Sequence, residues 1–120
     1  MSHRVLIIED EPDIRFVIRE ILEAEKFIVT EADHGLHGLQ ILQQSDHFDL
    51  ILLDWNMPVL DGEEFLREWI RKPKKKIPIV VISALERPPS EHYRAILKPF
   101  KIAELLALIR QEISLNNSRL

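Results

Sequence analysis

Leu50-Ile51-Leu52-Leu53, followed by Asp54, and Ile79-Val80-Val81-Ile82, followed by Ser83, are the stretches on which the reading of this chain turns. Both are apolar throughout, with none of the polar alternation of a strand that has one wet face. Unbroken apolar runs of this length suit strands covered by helices on both sides, in the interior of a parallel sheet. Working outward, short runs of the same kind stand at 4–8, 27–31, 49–53, 77–82 and 94–97, bounded by acids, serine or proline.

The stretches between these runs carry helical spacing. Ile14, Val17, Ile18 and Ile21 form one stripe behind Pro12, which predicts a first helix over 12–25. A second helix is expected over 34–44 despite Gly38, which costs about 1 kcal/mol relative to alanine inside a helix. Asp61, with Glu64 three residues on, is spaced as in a capping box and starts a third helix that ends before Pro73. Ile102, Leu105, Leu106, Ile109 and Ile113 make the stripe of a last helix. Strand and helix alternating over the whole length, joined by right-handed crossovers, give a doubly wound α/β sheet of about five parallel strands.

Composition narrows the classes of function. With 120 residues, 46% of them hydrophobic, and no low-complexity tract, the chain has room for one core, so a single domain over 1–120 with no output domain is expected. Its 16 basic and 20 acidic residues leave a formal charge of −4, which argues against direct nucleic-acid binding. The absence of cysteine excludes disulfides, thiolate catalysis and thiolate-ligated metals. No apolar run approaches the roughly 20 residues of a membrane helix, and the start turns polar by Glu9, so a cytoplasmic chain without a membrane span is expected. The basic stretch from Arg71 to Lys76 reads as a solvated loop, and His34 and His37, sharing a helical face without a third ligand, read as surface residues.

In open α/β sheets, ligands gather beyond the carboxyl ends of the strands. The first run exits into Glu9-Asp10-Glu11, the third into Asp54, the fourth into Ser83 and the fifth into Lys98-Pro99, so one edge collects acids, a hydroxyl and an amine. Carboxylates converging without cysteine form a hard oxygen site suited to Mg²⁺. An aspartate placed there can act as a nucleophile and form an acyl phosphate, with Lys98 neutralising the phosphoryl oxygens. Ser83 would donate to one phosphoryl oxygen, which makes the site a switch as well as a reaction centre.

The segments Ile7-Ile8-Glu9-Asp10-Glu11, Leu53-Asp54-Trp55-Asn56-Met57-Pro58 with Asp61-Gly62, Ile82-Ser83-Ala84, and Leu97-Lys98-Pro99-Phe100 resemble the receiver domains of two-component signalling, over nearly the entire chain. The resemblance implies a flavodoxin-like sheet of order 2-1-3-4-5. It implies Asp54 as phosphoacceptor, Glu9 and Asp10 as the acidic pair, and Mg²⁺ held by Glu9, Asp10, Asp54 and the Asn56 backbone carbonyl, with Ser83 and Lys98 completing the site. The donor would be a histidine kinase or a histidine phosphotransfer protein, docking beside the first helix, where Phe16 lies opposite the inward stripe. Leu108 and Leu115, off the stripe of the last helix, are a second candidate contact. The chain would catalyse its own phosphorylation and dephosphorylation and then change its binding to a downstream protein, as a monomer or weak dimer.

Two departures from the family pattern concern the readout. Arg87-Pro88-Pro89-Ser90 interrupts the region where receivers place their fourth helix, so that helix is expected to be shortened or missing. Three positions before Lys98, where receivers commonly carry an aromatic residue, this chain has Ala95; Tyr93 would share its face two residues earlier. These departures keep open a second reading, a phosphorylation-independent interaction module. A haloacid dehalogenase type phosphatase wants a second aspartate two residues after the nucleophile, where this chain has Asn56. A flavodoxin phosphate loop wants hydroxyls and free amides where Glu9-Asp10-Glu11 stands.

Overall fold

Alternate residues of a strand leave it on opposite sides, and this chain uses both sides for burial. In the computed structural model, which describes residues 2–45, 47–55, 61–71, 76–84 and 93–118, the elements run β1 (Arg4–Ile8), α1 (Pro12–Ala24), β2 (Ile28–Ala32), α2 (Gly35–Gln44), β3 (Leu50–Asp54), α3 (Gly62–Arg71), β4 (Ile79–Ser83), β5 (Arg94–Leu97) and α4 (Ile102–Ser118). All pairings are parallel and the order is β2-β1-β3-β4-β5. The doubly wound sheet expected from the apolar runs is the fold observed.

Val5, Ile7, Leu50, Leu52, Val80 and Ile82 pack with Ile18 and Leu22 of α1 and with Leu105, Leu106, Ile109 and Ile113 of α4. Their neighbours Leu6, Ile8, Ile51, Leu53, Ile79 and Val81 pack on the other side with Leu42 of α2 and Phe65 and Leu66 of α3. Every residue of β3 and β4 is buried, as strands covered on both faces must be.

The strand boundaries shift by a residue or two from the sequence reading, for identifiable reasons. Phe27 was expected in the second strand, but its amide donates to Leu22 O at 3.0 Å, while the Lys26 amide donates to Glu23 O at 3.1 Å. Lys26 has φ 70°, so the end of α1 is a Schellman turn with lysine in the left-handed position. Pro78 cannot donate and contributes only its carbonyl, to the Ile51 amide at 2.9 Å, so β4 begins at Ile79. Asp54 pairs with Ile82 and Ser83 with Leu97, so the two are the last residues of β3 and β4 rather than the first beyond them.

Two helical stripes also need correction. Val17 is 51% exposed and Leu22 is buried in its place, because the inward face of α1 centres on Ile18. Ile102, the first residue of α4, is 57% exposed, and Leu108, expected off the stripe, is partly buried against the core. Phe16 is exposed, as its position opposite the stripe implies. The expected shortening or loss of a helix between β4 and β5 falls on residues 85–92, outside the described residues, as does most of the basic stretch at 72–75.

The two helices on the same side of the sheet, α2 and α3, each carry a glycine at a point of close approach. A Cβ on Gly38 of α2 would lie 2.5 Å from Ile8 Cδ1, which accounts for a glycine inside a helix. A Cβ on Gly62 would lie 2.6 Å from Trp55 Cε3 and 2.9 Å from Trp55 Cα, so the first turn of α3 seats directly on the residue after Asp54. Asp61 caps that turn, its Oδ1 accepting from the Glu64 amide at 2.8 Å, as its spacing predicted. Because a backbone atom cannot move aside cheaply, Gly62→Ala is expected to lower stability by about 1–3 kcal/mol, read as a shift of the urea midpoint.

Candidate functional site

The order of the strands decides which loop residues meet. β1 and β3 are neighbours at the centre of the sheet, so the residue after β1 and the last residue of β3 lie side by side, and β4 and β5 bring Ser83 and Lys98 to the same edge. Glu9 donates its amide to Ala32 O at 3.1 Å, Trp55 to Ile82 O at 2.9 Å, and Lys98 to Ser83 O at 2.8 Å. Glu9, Lys98 and the residue after Asp54 are thus each fixed by a ladder-type backbone bond that extends a strand by one step. The Lys98-Pro99 peptide is cis.

Glu9, Asp54 and Ser83 are buried polar residues; Asp10 is half-buried. Glu9, Asp10 and Asp54 each offer a carboxylate oxygen, and the three atoms lie within 4.8 Å of one another. Lys98 Nζ donates to Glu9 Oε1 at 3.0 Å and to Asp54 Oδ1 at 3.4 Å. Five of the six residues singled out from the sequence are therefore brought together, and Asn56 lies outside the described residues. No buried polar side-chain atom among the described residues lacks a hydrogen-bond partner.

Three acids against one ammonium make an electrostatic imbalance. Burial, then the hydrogen bond and negative charge of Glu9, push the Asp54 carboxyl from an ordinary 3.8 up to about 8, against the attraction of Lys98. For Lys98, burial alone would lower the ammonium, but the bond to Glu9 and the charge of Asp54 outweigh it and hold the group above its usual range. A cluster of hard oxygen donors with excess negative charge, in a chain without cysteine, fits a small hard divalent cation.

The two histidines have a structural task. His34 Nδ1 accepts from the His37 amide at 3.0 Å and caps α2, while His37 Nδ1 pairs with Asp33 Oδ1 at 2.9 Å. Tyr93 and Ala95 both pack against the core on the α2 and α3 side of the sheet, as two residues of one strand face would. Sequence reading missed Arg15, whose Nη1 donates to the Glu9 carbonyl at 2.7 Å. Nothing in its own spacing marks it, since an arginine on the rim of an amphipathic helix is ordinary.

The response regulator receiver domain family matches residues 5–110 of this chain. The chain is 31% identical to response regulator RppA of Synechocystis over 117 residues, covering 89% of this chain and 49% of that protein. It is 34% identical to the transcriptional regulatory protein CusR of Escherichia coli K12 over 114 residues, with 89% and 49% covered. The chain therefore spans about half the length of the curated relatives it matches. Among solved structures, the receiver domain of the sensor histidine kinase PA1611 of Pseudomonas aeruginosa, which has a magnesium ion coordinated in its active-site cleft, superposes with a TM-score of 0.85 at 26% identity, covering 95% of this chain and 99% of that one. The Vibrio cholerae chemotaxis protein CheY4 superposes with a TM-score of 0.83 at 26% identity, covering 93% and 99%.

The raised carboxyl carries a consequence for stability. Asp54 holds its proton more tightly in the folded, metal-free chain than in the unfolded one, so its contribution is most favourable below pH about 4 and declines as pH rises toward about 8. In a chelator-containing buffer, Asp54→Asn is expected to remove part of the fall in urea midpoint between about pH 5 and pH 8, leaving the variant the more stable protein at the upper end. Parallel midpoints for the two proteins across that range would contradict the assignment.

Proposed function

The chain belongs to the response regulator receiver family, and on that premise we propose that it takes a phosphoryl group onto Asp54 from the phosphohistidine of a histidine kinase or a histidine phosphotransfer protein. The observation that carries the reading is the convergence of Glu9, Asp10, Asp54 and Lys98 at the ends of β1, β3 and β5.

An Asp54 carboxylate oxygen forms a bond to phosphorus while the bond from phosphorus to the donor's nitrogen breaks, its electron pair leaving with the imidazole. The product is an aspartyl phosphate, and attack of water on its phosphorus later returns the carboxylate. Lys98, within reach of Asp54 Oδ1, pairs with the phosphoryl oxygens as they arrive. Ser83, buried at the end of β4, donates its hydroxyl to another of those oxygens. Glu9 and Asp10, with Asp54 and the Asn56 carbonyl, are the residues that would hold Mg²⁺. When bound, that ion supplies the positive charge that keeps Asp54 ionised and screens the incoming phosphoryl group.

The donor is proposed to meet α1, where Phe16 is 60% exposed and Val17 is 51% exposed. Exposed apolar side chains on a helix suit contact with a protein partner. Placement in the cytoplasm belongs to the same proposal; no helix among the described residues is long and apolar enough to cross a membrane.

Incubation with acetyl phosphate and Mg²⁺ is expected to add one phosphoryl mass to the intact chain. Asp54→Asn should abolish the addition, and Lys98→Ala should slow it by roughly ten- to a hundredfold. Equal labelling of the Asp54→Asn protein would overturn the reading, and no labelling of the wild type would point to an interaction module independent of phosphorylation.

A further inference from the structure

The proposed site has a residue behind it that touches no reacting atom. Arg15 sits on the first turns of α1, and its Nη1 donates to the Glu9 backbone carbonyl at 2.7 Å. Its Nε pairs with Glu31 Oε1 of β2 at 3.3 Å, and the Arg15 side chain is 19% exposed. Glu31 is shared with Arg19, which also pairs with Glu23 at 2.9 Å, so Arg15 is anchored in a network that ties α1 to β2.

The Glu9 carbonyl belongs to the peptide that joins Glu9 to Asp10. That peptide is flanked by two carboxylates of the cluster, and its orientation sets the direction in which each leaves the backbone. The amide of Glu9 is fixed by Ala32 O at 3.1 Å, and a Glu9 carboxylate oxygen lies 3.3 Å from the Glu11 amide. Arg15 completes this set by fixing the carbonyl. A planar guanidinium donating in two directions can hold both Glu9 O and Glu31 at once, which a shorter or neutral side chain cannot.

Resting on the receiver reading above, we infer that Arg15 is a positioning residue for the divalent cation: it orients the Glu9–Asp10 peptide so that the Glu9, Asp10 and Asp54 oxygens face one point. Orientation and charge make opposite predictions here. A guanidinium near a cation site repels the cation, so its removal would tighten Mg²⁺ binding if charge were all it contributed. Removal of an orienting donor behind the ligands weakens binding, typically by tenfold or more.

The test is Mg²⁺ titration of the full chain by calorimetry, together with acetyl phosphate labelling across a range of Mg²⁺ concentrations. In Arg15→Ala the Mg²⁺ dissociation constant is expected to rise about tenfold. The Mg²⁺ concentration for half-maximal labelling should rise by the same factor, with the labelling rate at saturating Mg²⁺ within about twofold of wild type. Arg15→Met, which keeps the apolar stem, serves if the alanine variant does not fold, and its expected result is the same. Unchanged or tighter Mg²⁺ binding overturns the inference, as does a loss of the saturating rate that no Mg²⁺ concentration restores. Failure of the wild type to bind Mg²⁺ or to take label overturns the phosphoacceptor reading on which the inference rests, and is read from the wild-type arm alone.

Discussion

Glu9 and Asp54 are both buried, both acidic, and joined through one ammonium, that of Lys98. Two like charges about 4 Å apart at an effective dielectric of about 20 repel by about 4 kcal/mol, and burial adds a desolvation cost to each. The chain meets this in part with Lys98 and in part by holding Asp54 toward its neutral form. Among the described residues, backbone bonds at Glu9, Trp55 and Lys98 hold the strand ends that carry these acids in place. A cluster of this kind costs free energy relative to solvated acids, a cost that Lys98 offsets in part.

That constraint is distributed over several elements. Parallel pairing places Ile8 beside Leu53 and Leu53 beside Val81, so the ends of β1, β3 and β4 are in step. The amides of Glu9, Trp55 and Lys98 each extend the ladder beyond the strand. On one side α3 presses on Trp55 through the bare Cα of Gly62, and on the other α1 reaches the Glu9 carbonyl through Arg15. The two helices lie on opposite faces of the sheet, so the cluster is braced from both hydrophobic cores.

The sequence disclosed the sheet because fully buried strands leave an unmistakable trace: Leu50 to Leu53 and Ile79 to Ile82 can be little else in a chain this short. The site was legible for the same reason, since residues that terminate such runs must gather at one edge. What stayed hidden depended on hydrogen bonds between residues far from periodic positions. Phe27 looks like strand by composition, yet its amide is committed to the end of α1. Val17 and Leu22 are equally apolar, and only the way α1 lies on the sheet buries one and exposes the other. Arg15 acts through a backbone carbonyl, and a carbonyl leaves no mark in a sequence.

The same imbalance that destabilises the cluster makes it responsive. Burial beside Glu9 raises the affinity of the Asp54 carboxyl for a proton when no cation is bound, so a proton and a cation compete for the same oxygens. Cation binding and proton release at Asp54 are linked equilibria: whatever binds only the ionised form lowers the carboxyl's pKa by the free energy of that binding. In the proposed reading, nucleophilic character is thus conditional on a bound cation rather than a fixed property of Asp54. Placing Glu9 and Asp10 beside it raises the cost of the empty ionised site and at the same time supplies the ligands that relieve it, so the acids that suppress the reaction in one state enable it in the other.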